Sequence, residues 1–348
     1  VRVLTTLPQD DLADVPAAAR AAEAAGYDGL VTMENRNEPF LALGVAAVNT
    51  RRVSLGTGIA IAFARSPMAV ANAAWDLQVA SRGRFVLGLG TQVRAHNENR
   101  FSVRWSPPAP RLREYVQALR AIWRAWEKGE RLAHQGEHYR FTLMTPNFTP
   151  VSTHQPMVPV TLAAVGPAML RVAGEVADGV RLHPFCTRRY VDEVVARELR
   201  TGLGRGGRPR ERFEVAGGGF IATGPDAAAV AEMAEWVRYR VAFYGSTPAY
   251  WPVLAVHGLE ELGRKLNVMS KAGQWDRMAA EVSDEVLHLF AAVAAHRDLA
   301  QAVADRFGGA ADSITLSGGY GVQQTIPPDL IQDLQRIPTT FAGFATDW

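Results

Sequence analysis

The chain has 348 residues, 48% of them hydrophobic and 21% charged, which is enough apolar side chain to bury a large core and too little charge for a disordered protein. Its 37 basic and 35 acidic residues give a formal charge of +2 with no long block of one sign, which argues against nucleic-acid and membrane-surface partners. The lone cysteine, Cys186, excludes an internal disulfide framework and a cysteine metal site, and a reducing cytoplasm is the expected location.

Val1 to Leu7 is a short apolar run ending at Pro8, without the features of a secretion signal, and reads as a first strand. Asp14 can cap a helix that tolerates Pro16 in its first turn and stops at Gly26. Asp28 to Met33 is a second strand, followed by an alanine-rich helix from about Pro39 to Asn49. Arg52 to Ile59 is a third strand, and Ser66-Pro67 opens a helix running to about Ser81. Arg84 to Gly90 is a fourth strand. A polar loop from Gln92 to Pro110, a helix from Leu112 to Lys128 and an insertion from Gly129 to Pro156 come next.

The strand and helix rhythm then resumes. Met157 to Ala164 is strand five, Pro167 to Val176 a helix, Gly179 to His183 strand six and Tyr190 to Leu203 a helix. The glycine-rich stretch 202–207 reads as a flexible loop before Pro209. Phe213 to Ala222 is strand seven, with a helix from about Pro225 to Arg240. A helical stretch from about Leu259 to Ala304 precedes strand eight, Ser313 to Ser317, and the helix Pro328 to Arg336 closes the chain.

Short, nearly continuous apolar strands separated by helices imply a parallel sheet covered on both faces, with right-handed crossovers. Eight of them favour closure, so the expected fold is a (β/α)8 TIM barrel in one domain, residues 1–348. Insertions are expected after strands four and seven, at about 92–110, 129–156 and 243–311. No run approaches the ~20 apolar residues of a membrane span.

A barrel of this kind places its chemistry at the carboxyl ends of its strands. Polar groups expected there are Glu34, Asn35, Arg36 and Asn37 after strand two, and Arg65 after strand three. Strand four contributes Thr91, Gln92, Arg94, His96, Asn97 and Asn99, and His183 ends strand six. In Ala163-Ala164-Val165-Gly166-Pro167-Ala168 a strand enters a helix through glycine, with proline at the first helical position. That leaves free amides and the positive end of the helix dipole at the mouth, a cradle for phosphate or an ordinary tight turn. Gly56-Thr57-Gly58-Ile59 interrupts a buried strand with glycine, the mark of a bulge or of a planar ring coming close. His183 is either a site residue or a satisfied core histidine.

Other patterns carry less. Gly258 to Lys265 lacks the Gly-Lys-Ser/Thr of a phosphate loop, and Ser317-Gly318-Gly319 lacks a nucleophile elbow. His134 and His138 have no third ligand nearby in sequence, so no metal is expected.

Several of these segments together resemble the luciferase-like superfamily of flavin and deazaflavin oxidoreductases. They are Ala22 to Asp28, GTGI with Arg65-Ser66-Pro67, Trp75 to Gly90, Val165-Gly166-Pro167, and Ala173 to Gly179. The resemblance implies a flavin-type ring near strands three and four, with contacts from Glu34, Gly58, Ile59 and Thr91. It also implies a non-prolyl cis peptide at Gly58-Ile59, and the cofactor phosphate on Ala164, Val165, Gly166 and Ala168. The Gly-Pro form of the turn is more similar to the deazaflavin branch, so coenzyme F-420 is the expected cofactor and FMN the alternative. Hydride transfer to or from a small organic molecule is the expected reaction. A reduced-FMN monooxygenase and a non-catalytic flavin-binding protein are the other readings, and a homodimer is expected. Sugar-phosphate dehydrogenases of this branch carry a histidine and a glutamate where this chain has Asn35 and Val93, which leaves Glu34, His96 and His183 as candidate proton-transfer residues.

Overall fold

The computed structural model describes residues 1–316, 326–345 and 347. Its strands are β1 (Arg2–Thr6), β2 (Gly29–Thr32), β3 (Ser54–Thr57), β4 (Ala60–Ile61), β5 (Phe85–Gly90), β6 (His134–Gln135), β7 (Arg140–Phe141), β8 (Val160–Ala164), β9 (Gly179–Leu182), β10 (Glu214–Gly217), β11 (Phe220–Gly224), β12 (Ala291–Ala295) and β13 (Ser313–Thr315). Nine of these form one parallel sheet in the order β3-β2-β1-β13-β10-β9-β8-β5-β4, and β3 also pairs with β5, so the sheet closes on itself. Because β3 and β4 are one strand broken by a bulge, the result is an eight-stranded (β/α)8 barrel.

Two-residue alternation sorts each strand into an outer and an inner face. Leu55, Leu87, Leu89, Val160, Leu162 and Val180 are fully buried in the layer between barrel and helices, together with Leu43, Ala74 and Trp123. Their neighbours Gly56, Gly88, Gly90, Thr161, Ala163 and Arg181 therefore face the lumen. Asp178, between the helix Pro167–Val176 and β9, accepts the Val160 amide at 2.8 Å and the guanidinium groups of Arg120 and Arg208 at 3.0 Å each. It fixes where β8 begins.

Four sequence expectations change. Strand seven is not continuous: Gly217 and Gly218 adopt φ of 80° and 115°, ending β10 and turning the chain into β11, which leaves the barrel. β11 pairs in parallel with β12, so the expected helical stretch from Leu259 to Ala304 is interrupted at Ala291–Ala295. The polar loop after β5 contains a short helix, Arg94–Asn99, and the insertion after the helix Pro108–Lys128 carries the β6–β7 hairpin. Finally, 202–206 belongs to the helix Ala196–Gly206 rather than to a loop. A Cβ on Gly202 would sit 2.3 Å from the Arg171 carbonyl oxygen, so glycine here lets two helix backbones touch. Ser317, the expected end of strand eight, and the Ser317-Gly318-Gly319 motif reach outside the described residues.

Candidate active site

The rim is built around the break in strand three. β3 stops at Thr57, the Gly58–Ile59 peptide is cis, and β4 resumes beside Leu89 and Gly90. Glu34, just past β2, closes this bulge. Its amide donates to the Ile59 carbonyl at 3.1 Å, and its carboxylate accepts from the Ile61 amide at 2.7 Å and from Arg65 at 2.9 and 2.7 Å. Arg65 also reaches Glu38 at 3.4 Å, and Glu38 caps the helix Pro39–Asn49 through the Phe40 and Leu41 amides. Glu34 is thus an acceptor held by fixed donors, placed to orient the bulge.

The second half of the rim follows β8. Gly166 caps the helix Pro167–Val176, and a Cβ added to it would meet nothing within 4 Å. The Ala168 and Met169 amides have no acceptor among the described residues, and Ala168 is exposed. The Tyr190 hydroxyl donates to the Val165 carbonyl at 2.9 Å and holds the turn. Both halves share one end of the lumen. A Cβ on Gly90 would lie 2.6 Å from the Ile59 side chain and 3.5 Å from Ala163, so the bulge and the strand leading into the turn face each other across Gly90. Ala164 is buried at the end of β8, while the Thr91 carbonyl accepts from the Asn97 side-chain Nδ2 at 2.9 Å beside the same rim.

The two histidines separate. His96 is exposed on the short helix Arg94–Asn99. His183 is enclosed, its ring 4.3 Å from that of Tyr244 and 4.6 Å from that of Tyr250, and its Nδ1 accepts the Phe185 amide at 2.9 Å. The insertion after β10 supplies both tyrosines, so this pocket is not legible from strand ends alone. Burial, helped by the Arg240 charge, pushes the His183 pKa down to about 3. The ring is neutral at pH 7, with its proton on Nε2.

This has a measurable consequence. The unfolded chain binds a proton at His183 below pH ~6.5 while the folded protein refuses it down to about 3, so stability is full above the unfolded value and falls as pH drops through that window. Between pH 6.5 and 4.5 this residue should remove about 2 to 3 kcal/mol. Urea unfolding of the native protein and of His183→Phe at both pH values checks it. The variant should show a smaller acid loss, and equal losses would refute the assignment.

Sequence reasoning missed Arg181. It stands on β9 between buried Val180 and Leu182, faces inward, and its Nε donates to Thr161 Oγ1 at 3.0 Å. Below it Arg2 bonds Glu214 at 2.7 Å and Ser54 at 2.8 Å. A charged residue in an otherwise apolar strand was the available signal.

These residues fit a flavin-type cofactor. Bare amides at a helix start suit its phosphate, and a bulged strand on the same rim suits the approach of a flat ring. No group of three or more His, Cys, Asp or Glu side chains among the described residues is placed to hold a metal, and no described helix is long and apolar enough to cross a membrane.

Comparison with known proteins agrees. The chain is 48% identical over 305 residues to an uncharacterized protein of Mycobacterium tuberculosis, covering 88% of this chain and 90% of that one. It is 29% identical over 280 residues to a 5,10-methylenetetrahydromethanopterin reductase of Archaeoglobus fulgidus, covering 78% and 79%. In structure it resembles the coenzyme F-420 dependent tetrahydromethanopterin reductase of Methanopyrus kandleri, with a TM-score of 0.76 at 19% identity over 97% and 98% of the two chains. The profile of the luciferase-like monooxygenases matches residues 1–313, and the chain belongs to that family.

Proposed function

We propose that the protein transfers hydride between coenzyme F-420 and a small organic substrate. The observation that carries this reading is the placement of the bare-amide helix start after β8 and the β3–β4 bulge on one rim, facing each other across Gly90. The Gly166-Pro167 turn favours the deazaflavin over FMN, and the reductases among the similar proteins support it. Once bound, the ring supplies two-electron chemistry, and the chain binds and orients it. Ala164, Val165, Gly166 and Ala168 would hold the phosphate, and Gly58 and Ile59 would back the ring. Glu34 and Thr91 would fix the rim around it. His183, neutral with its proton on Nε2, would donate a hydrogen bond to the substrate. As an imidazolium acid it is excluded by its low pKa.

Ala168→Glu tests the phosphate site. A carboxylate at the helix start should weaken F-420 binding by about 10- to 100-fold through repulsion of the phosphate. Stability should stay within about 0.5 kcal/mol, because an acidic residue suits a helix N-terminus. Fluorescence titration and urea unfolding measure both, and undiminished binding would remove the phosphate from this turn. Tight FMN binding with negligible deazaflavin binding would instead favour a reduced-FMN monooxygenase, the activity named by the family, which oxygen uptake with reduced FMN would reveal.

A further inference from the structure

Barrels of this architecture stack branched apolar side chains in the lumen. Here the lumen holds a charge. Arg181 extends from β9 toward the opposite wall: Nη2 lies 3.3 Å from where a Cβ on Gly56 would stand, and Nη1 3.7 Å from that of Gly58. A Cβ on Gly88 would come within 2.9 Å of Nε, so glycine on β3 and β5 is what admits the guanidinium.

The group is short of partners. Nε bonds Thr161, but Nη1 and Nη2 donate to no acceptor among the described residues, and no described carboxylate forms an ion pair with it. Glu214, whose charge acts on Arg181, is already bonded to Arg2. The guanidinium is deeply enclosed yet keeps surface open to the lumen. Burial pushes its pKa down and the Glu214 charge opposes that, while an arginine side chain in a protein remains a cation. An enclosed cation with free forked donors is costly alone and favours a planar, electron-rich acceptor. The Arg181 Cα is in register with Ala163, and its guanidinium reaches across to Gly56, Gly58 and Gly88 beside the bulged strand, where a flat ring entering the mouth would present an edge.

We propose that Arg181 is the cationic contact for the bound cofactor ring, donating from its Nη groups to the pyrimidinedione edge and holding the reduced ring as its anion. This rests on the reading that a flavin-type ring enters the mouth. The charge balance is simple. A neutral oxidised ring that accepts hydride gains two electrons and one proton, so it carries one negative charge, on the pyrimidinedione nitrogen and carbonyl, unless a solvent proton neutralises it. Arg181 stabilises the form that has not taken that proton and so favours hydride on the cofactor.

The test uses the full chain with oxidised and reduced F-420, and with FMN in parallel, reading affinity by titration and the ring proton by absorbance against pH. In the unmodified protein the reduced ring should lose its proton about one to three pH units below its value in free solution. Arg181→Met should abolish that shift and weaken the reduced form on the order of 30-fold, the oxidised form much less. Arg181→Lys should fall between, and Thr161→Val, which keeps the charge, should retain most of the shift. Unmodified protein that binds a cofactor whose reduced ring titrates as it does in free solution overturns the inference without any variant, so a variant that fails to fold does not shelter it. Arg181→Met behaving like the unmodified protein also overturns it. Failure to bind either cofactor overturns the proposed function, and this inference with it.

Discussion

Glu34→Ala is expected to lower stability by about 2 to 4 kcal/mol and to weaken cofactor binding by a factor of about 100 or more. The carboxylate, only 7% exposed, accepts from the Ile61 amide and, through both oxygens, from Arg65 Nη1. Removing it leaves the Ile61 amide without its acceptor and Arg65 with Glu38 at 3.4 Å and the Ile61 carbonyl at 3.3 Å. Breaking a fully buried pair costs about 3 to 5 kcal/mol, and the 22% exposure of Arg65 reduces that. The effect on binding is larger because Glu34 ties the loop after β2 to the bulge, and a displacement of about 1 Å in a positioning element costs on the order of 100-fold. Glu34→Gln, which keeps an acceptor oxygen for the Ile61 amide, should lose about half as much stability. Urea unfolding and cofactor titration of both variants check this. Unchanged binding in Glu34→Ala would show that the bulge holds its shape without the carboxylate.

The rhythm of the barrel was legible because several strands stop at or close before residue types with a physical reason to break them, such as Gly90, or Gly166 ahead of Pro167. Position on the rim was legible for the same reason, since strand ends must converge in a closed parallel sheet. What failed were the places where tertiary contact outweighs local preference. Ala291 to Ala295 has the composition of a helix, and only pairing with β11 makes it a strand. The stretch 202–206 looks like a loop, and backbone contact with the neighbouring helix explains the glycines at Gly202 and Gly206, while Gly204 has open space around it.

Some motif residues turned out to serve architecture. Asp178 and Gly174, part of the Ala173 to Gly179 segment that carries the family resemblance, anchor β8 and admit the helix Ala196–Gly206, and neither faces the rim. Arg181 escaped for a different reason. Its inward direction depends on the register of β8 with β9, where Thr161 pairs with Gly179 and Ala163 with Arg181, and a slip of one residue would have sent it outward. His183 was placed correctly at a strand end, but its chemistry is set by Tyr244, Tyr250 and Arg240 from a distant insertion.

Gly88→Val is expected to destabilise the protein by at least about 3 kcal/mol, or to prevent folding. A Cβ at this position would stand 1.9 Å from the Thr57 carbonyl oxygen and 3.1 Å from its carbon, both backbone atoms of the neighbouring strand. That strand cannot retreat cheaply, because the Thr57 hydroxyl bonds the Gly88 carbonyl at 2.6 Å and accepts the Gly88 amide at 2.9 Å, locking β3 to β5. The same Cβ would come within 2.9 Å of Arg181 Nε and press on its guanidinium. Gly166→Ala makes the matching control: it has open space around it and φ of −81°, so its stability should change by less than about 0.5 kcal/mol. Thermal and urea unfolding of the two variants side by side measure the difference. If Gly88→Val unfolded like Gly166→Ala, the lumen would have to be far looser than these distances allow, and the packing that seats Arg181 beside the bulged strand would be wrong.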